Sequence, residues 1–206
     1  MWWTDLAAMG DALATLDARV DVKADVSVQA TLCGAVHVGA GSRICAGAHI
    51  HGPVWIGRDC LVGNGALLRG PLRIGDGTRI GFASELKHSL IGRGVSIGPQ
   101  CFIGDSRIDD HAYLGALVRT SNHRLDGATI KVHADGAVID SQRDKLGAWI
   151  GTRAALGVGV IILPGRIVAA GSQFGPRITV ERNLPPGRYR LLQHLQSQPL
   201  EHHPCD

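Results

Sequence analysis

The sequence predicts an all-β chain wound as a three-sided parallel solenoid, and three observations carry the prediction. Aliphatic residues recur at every sixth position without a break at Val20, Val26, Leu32, Val38, Ile44, Ile50, Ile56, Val62, Leu68, Ile74, Ile80 and Leu86. After two five-residue steps, Leu86 to Ile91 and Ile103 to Ile108, the series reaches Leu114, and it returns from Ile150 to Val180. The residue after the aliphatic is often glycine, and the fourth is small or β-branched, as at Ala30, Ser42, Ala48, Cys60, Ala66 and Thr78. Finally, 28 glycines accompany only 4% aromatic residues, the composition of a chain with many corners and a core too narrow for rings. Each hexapeptide then reads as a short strand and a tight corner, and three make one triangular coil. Aliphatic side chains stack in columns inside the prism, and the coils above and below satisfy the backbone of each strand.

The remaining elements follow in chain order. Residues 1–19 read as a short amphipathic helix with Leu6, Met9, Leu13 and Leu16 on one face. The solenoid spans 20–184, interrupted at 120–149 by a polar and charged excursion that contains a possible hairpin. From Pro185 to Asp206 the chain reads as a closing helix and a tail.

Composition narrows the function. The chain has 206 residues and a net charge of +3 without a dense basic run, so nucleic acid is not an expected partner. The N-terminus lacks both the basic start and the unbroken apolar run of a signal peptide or a membrane span, which points to the cytoplasm. Of Cys33, Cys45, Cys60, Cys101 and Cys205, none forms a CxxC pair, and Cys60 and Cys101 fall at inward positions as buried thiols. No nucleotide-binding loop, GxSxG or metal-ligand spacing is present, and no metal is expected. His49, His51 and His88 take outward positions, and His202 and His203 fall in the tail.

Parallel crossovers are normally right-handed. Unbroken six-residue units resemble the known exception, the left-handed β-helix, and that resemblance carries the handedness. HGPVWIG, LLRGPLRIGDG, SELKHSLIG, CFIGDSRI, SQRDKLGAWIG and GVGVIILPGRIVAAG, between about residues 50 and 184, resemble the acetyltransferase half of bifunctional glucosamine-1-phosphate acetyltransferase/N-acetylglucosamine-1-phosphate uridylyltransferases and archaeal-type sugar nucleotidylyltransferases. The nucleotidylyltransferase half has no counterpart. The resemblance implies an acetyl-CoA-dependent acetyltransferase, working as a homotrimer on an amino sugar, a sugar phosphate or a related acceptor. It places Arg69 and Lys87 on the substrate phosphate. It also puts Pro99 where that family has its catalytic histidine and Phe102 where it has a tyrosine. A non-catalytic regulatory or scaffolding trimer is therefore the alternative.

A second resemblance supplies a base. Ser121-Asn122-His123-Arg124-Leu125-Asp126-Gly127 is similar to the NHRxDG segment of hexapeptide xenobiotic acetyltransferases, which makes His123 the expected base, with Asn122 or Asp126 orienting its ring. Gly157, Gly159, Ala169 and Ala170 are the small residues along which the pantetheine arm of acetyl-CoA is expected to lie, with Arg153, Arg166 and Arg177 as partners for its phosphates. A metal solenoid built on His111, His123 and His133 is a further alternative.

Overall fold

A computed structural model of the chain describes residues 1–134 and 136–193. It is a single-stranded left-handed parallel β-helix whose three flat faces are parallel sheets of eight, nine and eight strands. The first face runs from Arg19–Val20 to Ile167–Val168, the second from Asp25–Val26 to Arg188–Tyr189, and the third from Thr31–Cys33 to Thr179–Val180. Strands pair only with the coil below and the coil above, as Val54–Ile56 pairs with Val36–Val38 and with Leu72–Ile74.

The periodic aliphatics are the core. On the first face Val38, Ile56, Ile74, Ile91, Ile108, Ile150 and Val168 form one cross-strand column, and none is more than 1% exposed. Burying each such side chain contributes about 1.5–3 kcal/mol. Small inward residues finish the filling, and the polar ones are satisfied by neighbouring coils. Ser42 Oγ, for example, donates to Gly57 O at 2.7 Å and accepts from Cys60 N at 2.9 Å.

The N-terminal helix, Trp2–Leu13, is shorter than the expected 1–19, and Leu16 lies beyond it, half-exposed. It does not cap the prism. It lies along the first face against Leu72–Ile74, Leu90–Ile91 and Arg107–Ile108, and Asp5 pairs with Arg107. The first coil is therefore uncovered, and Val20 is 47% exposed.

The excursion from the prism runs through residues 121–148 and contains the expected hairpin, Lys131–Ala134 with Ala137–Asp140. It is less polar than its composition suggests. Ile130, Val132 and Leu146 are buried in a second small core with Trp2, Trp3 and Leu6 of the helix. Helix and excursion thus clasp each other over the first face.

The expected closing helix is corrected between Pro185 and Gln193. Arg188–Tyr189 is a strand that extends the second face, paired with Gln173–Phe174, while Tyr189 stacks on Phe174 at 4.8 Å. Phe174 ends a core column, and stacking Tyr189 on it covers that column better than a free helix would. Residues 194–206, which hold the rest of that expectation with His202, His203 and Cys205, lie outside the described residues. No described helix is long and apolar enough to cross a membrane.

Candidate active site

Every coil turns from the third face to the first along one edge of the prism. The turning residues stack as Gly52, Gly70, His88 and Asp105, each donating its amide to the last residue of the strand below: Cys33, His51, Arg69 and Lys87. At Gly52 and Gly70 a Cβ would sit 2.3 Å from a carbonyl oxygen, of Ala35 and Pro53 respectively, so only glycine fits. The next two coils are shorter by one residue, lack the proline that follows Gly52 and Gly70, and turn with φ of 52° at His88 and 50° at Asp105. Other corners, such as Ala83 and Leu117, share that left-handed turn, so its strain does not distinguish the edge. What distinguishes it is that two consecutive coils carry charged and polar side chains that meet.

The Asp105 carboxylate, 4% exposed, is the centre of the cluster. It accepts from Lys87 Nζ at 2.9 Å, from His88 Nδ1 at 3.0 Å and from Asn122 Nδ2. Burial pushes this carboxyl up, but hydrogen bonds from His88, Lys87 and Asn122 outweigh it and hold the pKa at about 2. Beneath the cluster, buried Ser89 and Ser106 donate to Lys87 O and Gly104 O, both at 2.6 Å, which satisfies the corner's carbonyls.

Arg69 stands directly across from Lys87 in the ladder. The two residues expected to grip a phosphate are therefore neighbours, but neither is free. Arg69 is paired with Glu85, and Lys87 with Asp105.

Asn122 ties the departing excursion to this edge. Its side chain bonds Asp105, and its carbonyl receives Leu146 N at 2.9 Å, where the chain returns. His123 comes next and is exposed, with Nδ1 3.0 Å from the carbonyl of Asp144. A carbonyl only accepts, so Nδ1 carries the hydrogen and Nε2 of the neutral ring is left with a lone pair. The ring is thus oriented by Asp144 and not by Asn122 or Asp126. Asp126 instead binds Arg124, with Arg124 Nε donating to it at 2.9 Å, and that contact holds the Asp126 carboxyl well below the usual carboxylate range.

The four small residues expected beside acetyl-CoA fall on two edges. Gly157 and Gly159 lie between the second and third faces, Ala169 and Ala170 between the first and second. Gly157 is covered by the next coil, where a Cβ would come 2.8 Å from Pro176 N. Gly159 is open, with only Arg177 Cγ near, at 3.9 Å from such a Cβ. His111 sits at a corner between the first and second faces and His133 on the hairpin, and no three metal-ligating side chains gather among the described residues. Cys60 and Cys101 are buried, and burial pushes both thiols up.

The contact between His88 and Asp105 is not among the sequence-based expectations. Their signal was present in the two five-residue steps, Leu86 to Ile91 and Ile103 to Ile108, each of which encloses one of them.

Sequence comparison agrees with a chain of hexapeptide repeats. The family described as bacterial transferase hexapeptide (six repeats) matches residues 35–70. The uncharacterized acetyltransferase YaiX of Escherichia coli O6:K15:H31 (strain 536 / UPEC) is 57% identical over 162 residues, 79% of this chain and 70% of that protein. The chain belongs to the hexapeptide-repeat acyltransferases. A bifunctional sugar-1-phosphate nucleotidylyltransferase/acetyltransferase of Sulfurisphaera tokodaii is 36% identical over 111 residues, 54% of this chain but only 28% of that protein. Among solved structures, Francisella novicida UDP-N-acetylglucosamine acyltransferase superposes with a TM-score of 0.45 at 16% identity, over 84% of this chain and 63% of that one.

Proposed function

We propose that the chain transfers an acetyl group from acetyl-CoA to an amine or hydroxyl of a small, sugar-like acceptor, at the edge between the third and first faces. The observation that carries this reading is the Asp105 cluster, which joins side chains of two successive coils to Asn122 where the His123 segment leaves the prism. An acyl transfer site needs a positioned base and polar groups that fix the acceptor, and this edge supplies both kinds.

The acceptor nitrogen or oxygen attacks the thioester carbonyl. As its bond to carbon forms, the carbon–sulfur bond breaks and the electron pair goes to sulfur. The acceptor's proton passes to Nε2 of His123 and from there to the departing thiolate, which leaves as the free thiol. Asn122 holds the start of the segment on Asp105, and Asp126, through Arg124 and the amide of Ala128, stiffens the turn behind His123. Arg69 and Lys87 face the acceptor. Because each already has a carboxylate partner, their pull on a phosphate is weaker than that of two free cations, and neutral amino sugars join sugar phosphates as candidates.

The homotrimer is part of the proposal. Gly159 and Ala169–Ala170 lie on different edges of one prism, and side-by-side packing around a threefold axis would set an edge of one subunit against an edge of the next, offering both to one pantetheine arm. Acetyl-CoA supplies the activated acyl group, and the open turn at Gly159 fits such an arm.

Thiol release from acetyl-CoA, measured with a panel of amino sugars and their phosphates, tests the activity, and His123→Ala tests the base. Release with one or more acceptors that falls at least a hundredfold in the variant supports the assignment, that loss being within the usual contribution of a general base, about 10²–10⁴-fold. Unchanged turnover in the variant excludes His123. No release with any acceptor favours the second reading, a non-catalytic trimer, which Pro99 and Phe102 at the relatives' histidine and tyrosine positions support.

A further inference from the structure

We propose that His88 binds the acceptor through Nε2, accepting a hydrogen bond from one of its hydroxyl or amine groups, and that Asp105 fixes the ring tautomer that makes this possible. The inference rests on the transferase reading and adds a specificity-determining residue to it.

Asp105 is buried and ionised, so both its oxygens only accept. Its Oδ1 lies 3.0 Å from His88 Nδ1, which must therefore carry a hydrogen. The neutral ring is then left with a bare lone pair on Nε2, and among the described residues no hydrogen bond engages that atom. The His88 side chain is 48% exposed, so its free end faces out from the edge that also carries Arg69 and the start of the His123 segment. The neighbouring polar groups are committed: Lys87 and Asn122 to Asp105, Arg69 to Glu85. His88 is the member of the cluster left with an unused acceptor.

A site with a fixed acceptor selects ligands that bring a donor and rejects analogues that lack it, because the lone pair would otherwise be covered without a partner. The substrate class is thus narrowed to acceptors with a free hydroxyl or amine beside the reacting group, which deoxy and O-methyl analogues of glucosamine can probe.

Asp105→Asn provides a second handle. Lys87 and Asn122 both donate to Oδ2, so the amide keeps its oxygen on their side and turns its NH2 toward His88. Nδ1 then has to accept, and Nε2 gains the hydrogen. The same ring becomes a donor at the position where it had accepted.

The first test is nitrogen NMR of the full chain labelled at histidine. A protonated Nδ1 and bare Nε2 are expected for His88 in the parent, the reverse in Asp105→Asn, and a shift of the His88 Nε2 signal on titration with glucosamine. The opposite tautomer in the parent, or no response to glucosamine, overturns the proposal whatever the enzymatic activity. The second test is kcat/KM across the analogue series. The parent should reject one deoxy analogue by tenfold or more, roughly the value of one hydrogen bond, and His88→Ala should erase that preference while leaving the other preferences intact. A variant that keeps every preference refutes the role. So does one that loses turnover equally for all acceptors together with the basic dependence of the pH profile, since His88 would then be the proton acceptor. Absence of turnover in the parent would count against the transferase reading alone, and the NMR titration would still decide whether His88 binds the sugar.

Discussion

The excursion that carries the His123 segment packs around a small core outside the columns of the prism, so it should be possible to loosen one without melting the other. Leu6 is 4% exposed and packs with Trp2, Trp3, Ile130, Val132 and Leu146, apart from the columns inside the prism. Truncating a buried leucine to alanine costs about 2–5 kcal/mol. Because the buried contacts affected lie outside the columns inside the prism, touching it only on the outer side of the first face at Leu90, Trp149 and Ile167, that loss should appear as local opening of residues 130–146, not as unfolding of the coils. At about 1.4 kcal/mol for each factor of ten, Leu6→Ala should speed amide exchange at Ile130, Val132 and Leu146 by about 30-fold or more. The amides of Gly57, Gly75 and Gly81, bonded to carbonyls of the next coil at 2.8–2.9 Å, should keep their protection. Hydrogen exchange read by mass spectrometry on peptides from the two regions measures both. If peptides from 130–146 exchange at the parental rate, or if the coils accelerate equally, the clasp is not an independent unit and the reasoning fails.

Three other outcomes follow from the same structure. Asp105 has a pKa held at about 2, below the ordinary 3.8, so its contribution to stability is complete above about pH 4 and is lost as pH falls through 2. Denaturant unfolding should show the parent losing about 2 kcal/mol over that interval, with Asp105→Asn less stable at neutral pH and missing that acid limb. Gly147→Ala should unseat the returning end of the excursion, because a Cβ there would lie 2.1 Å from both Gly104 O and Ser106 Oγ. A melting temperature within two degrees of the parent would contradict that. Alkylation of the native chain should label exposed Cys33 and spare Cys60 and Cys101, whose thiols burial pushes up. Equal labelling of all three before unfolding would refute the inward placement.

The sequence revealed what repeats and concealed what depends on register. A period of six is a local property, and it was enough to place Ile56, Ile74 and Ile91 in one column and Cys60 and Cys101 inside. The motifs around Arg69 and Lys87 single them out as candidates, and the ladder sets them side by side. Contacts between coils were harder to read, since whether His88 meets Asp105 depends on how the shortened corners stack. Between Pro185 and Gln193 a strand stands where a helix was expected, because the local sequence says nothing about Tyr189 finding a stacking partner in Phe174.

The two shortened corners show how this fold builds a site without a cavity. In the coils of Gly52 and Gly70, a glycine followed by a proline turns the edge, and neighbouring backbone leaves no room for a side chain. Dropping one residue removes the proline and lets the next two turns carry His88 and Asp105, one rung apart. Coil spacing then does what a pocket does elsewhere. It sets an imidazole on a carboxylate at 3.0 Å and a lysine on the same carboxylate at 2.9 Å, and the excursion closes the arrangement through Asn122. Asp105 cannot be treated as one more surface charge on such an edge. It accepts from the coil below and from the excursion at once, so the orientation of His88, the pairing of Lys87 and the anchoring of the His123 segment all depend on a single buried group.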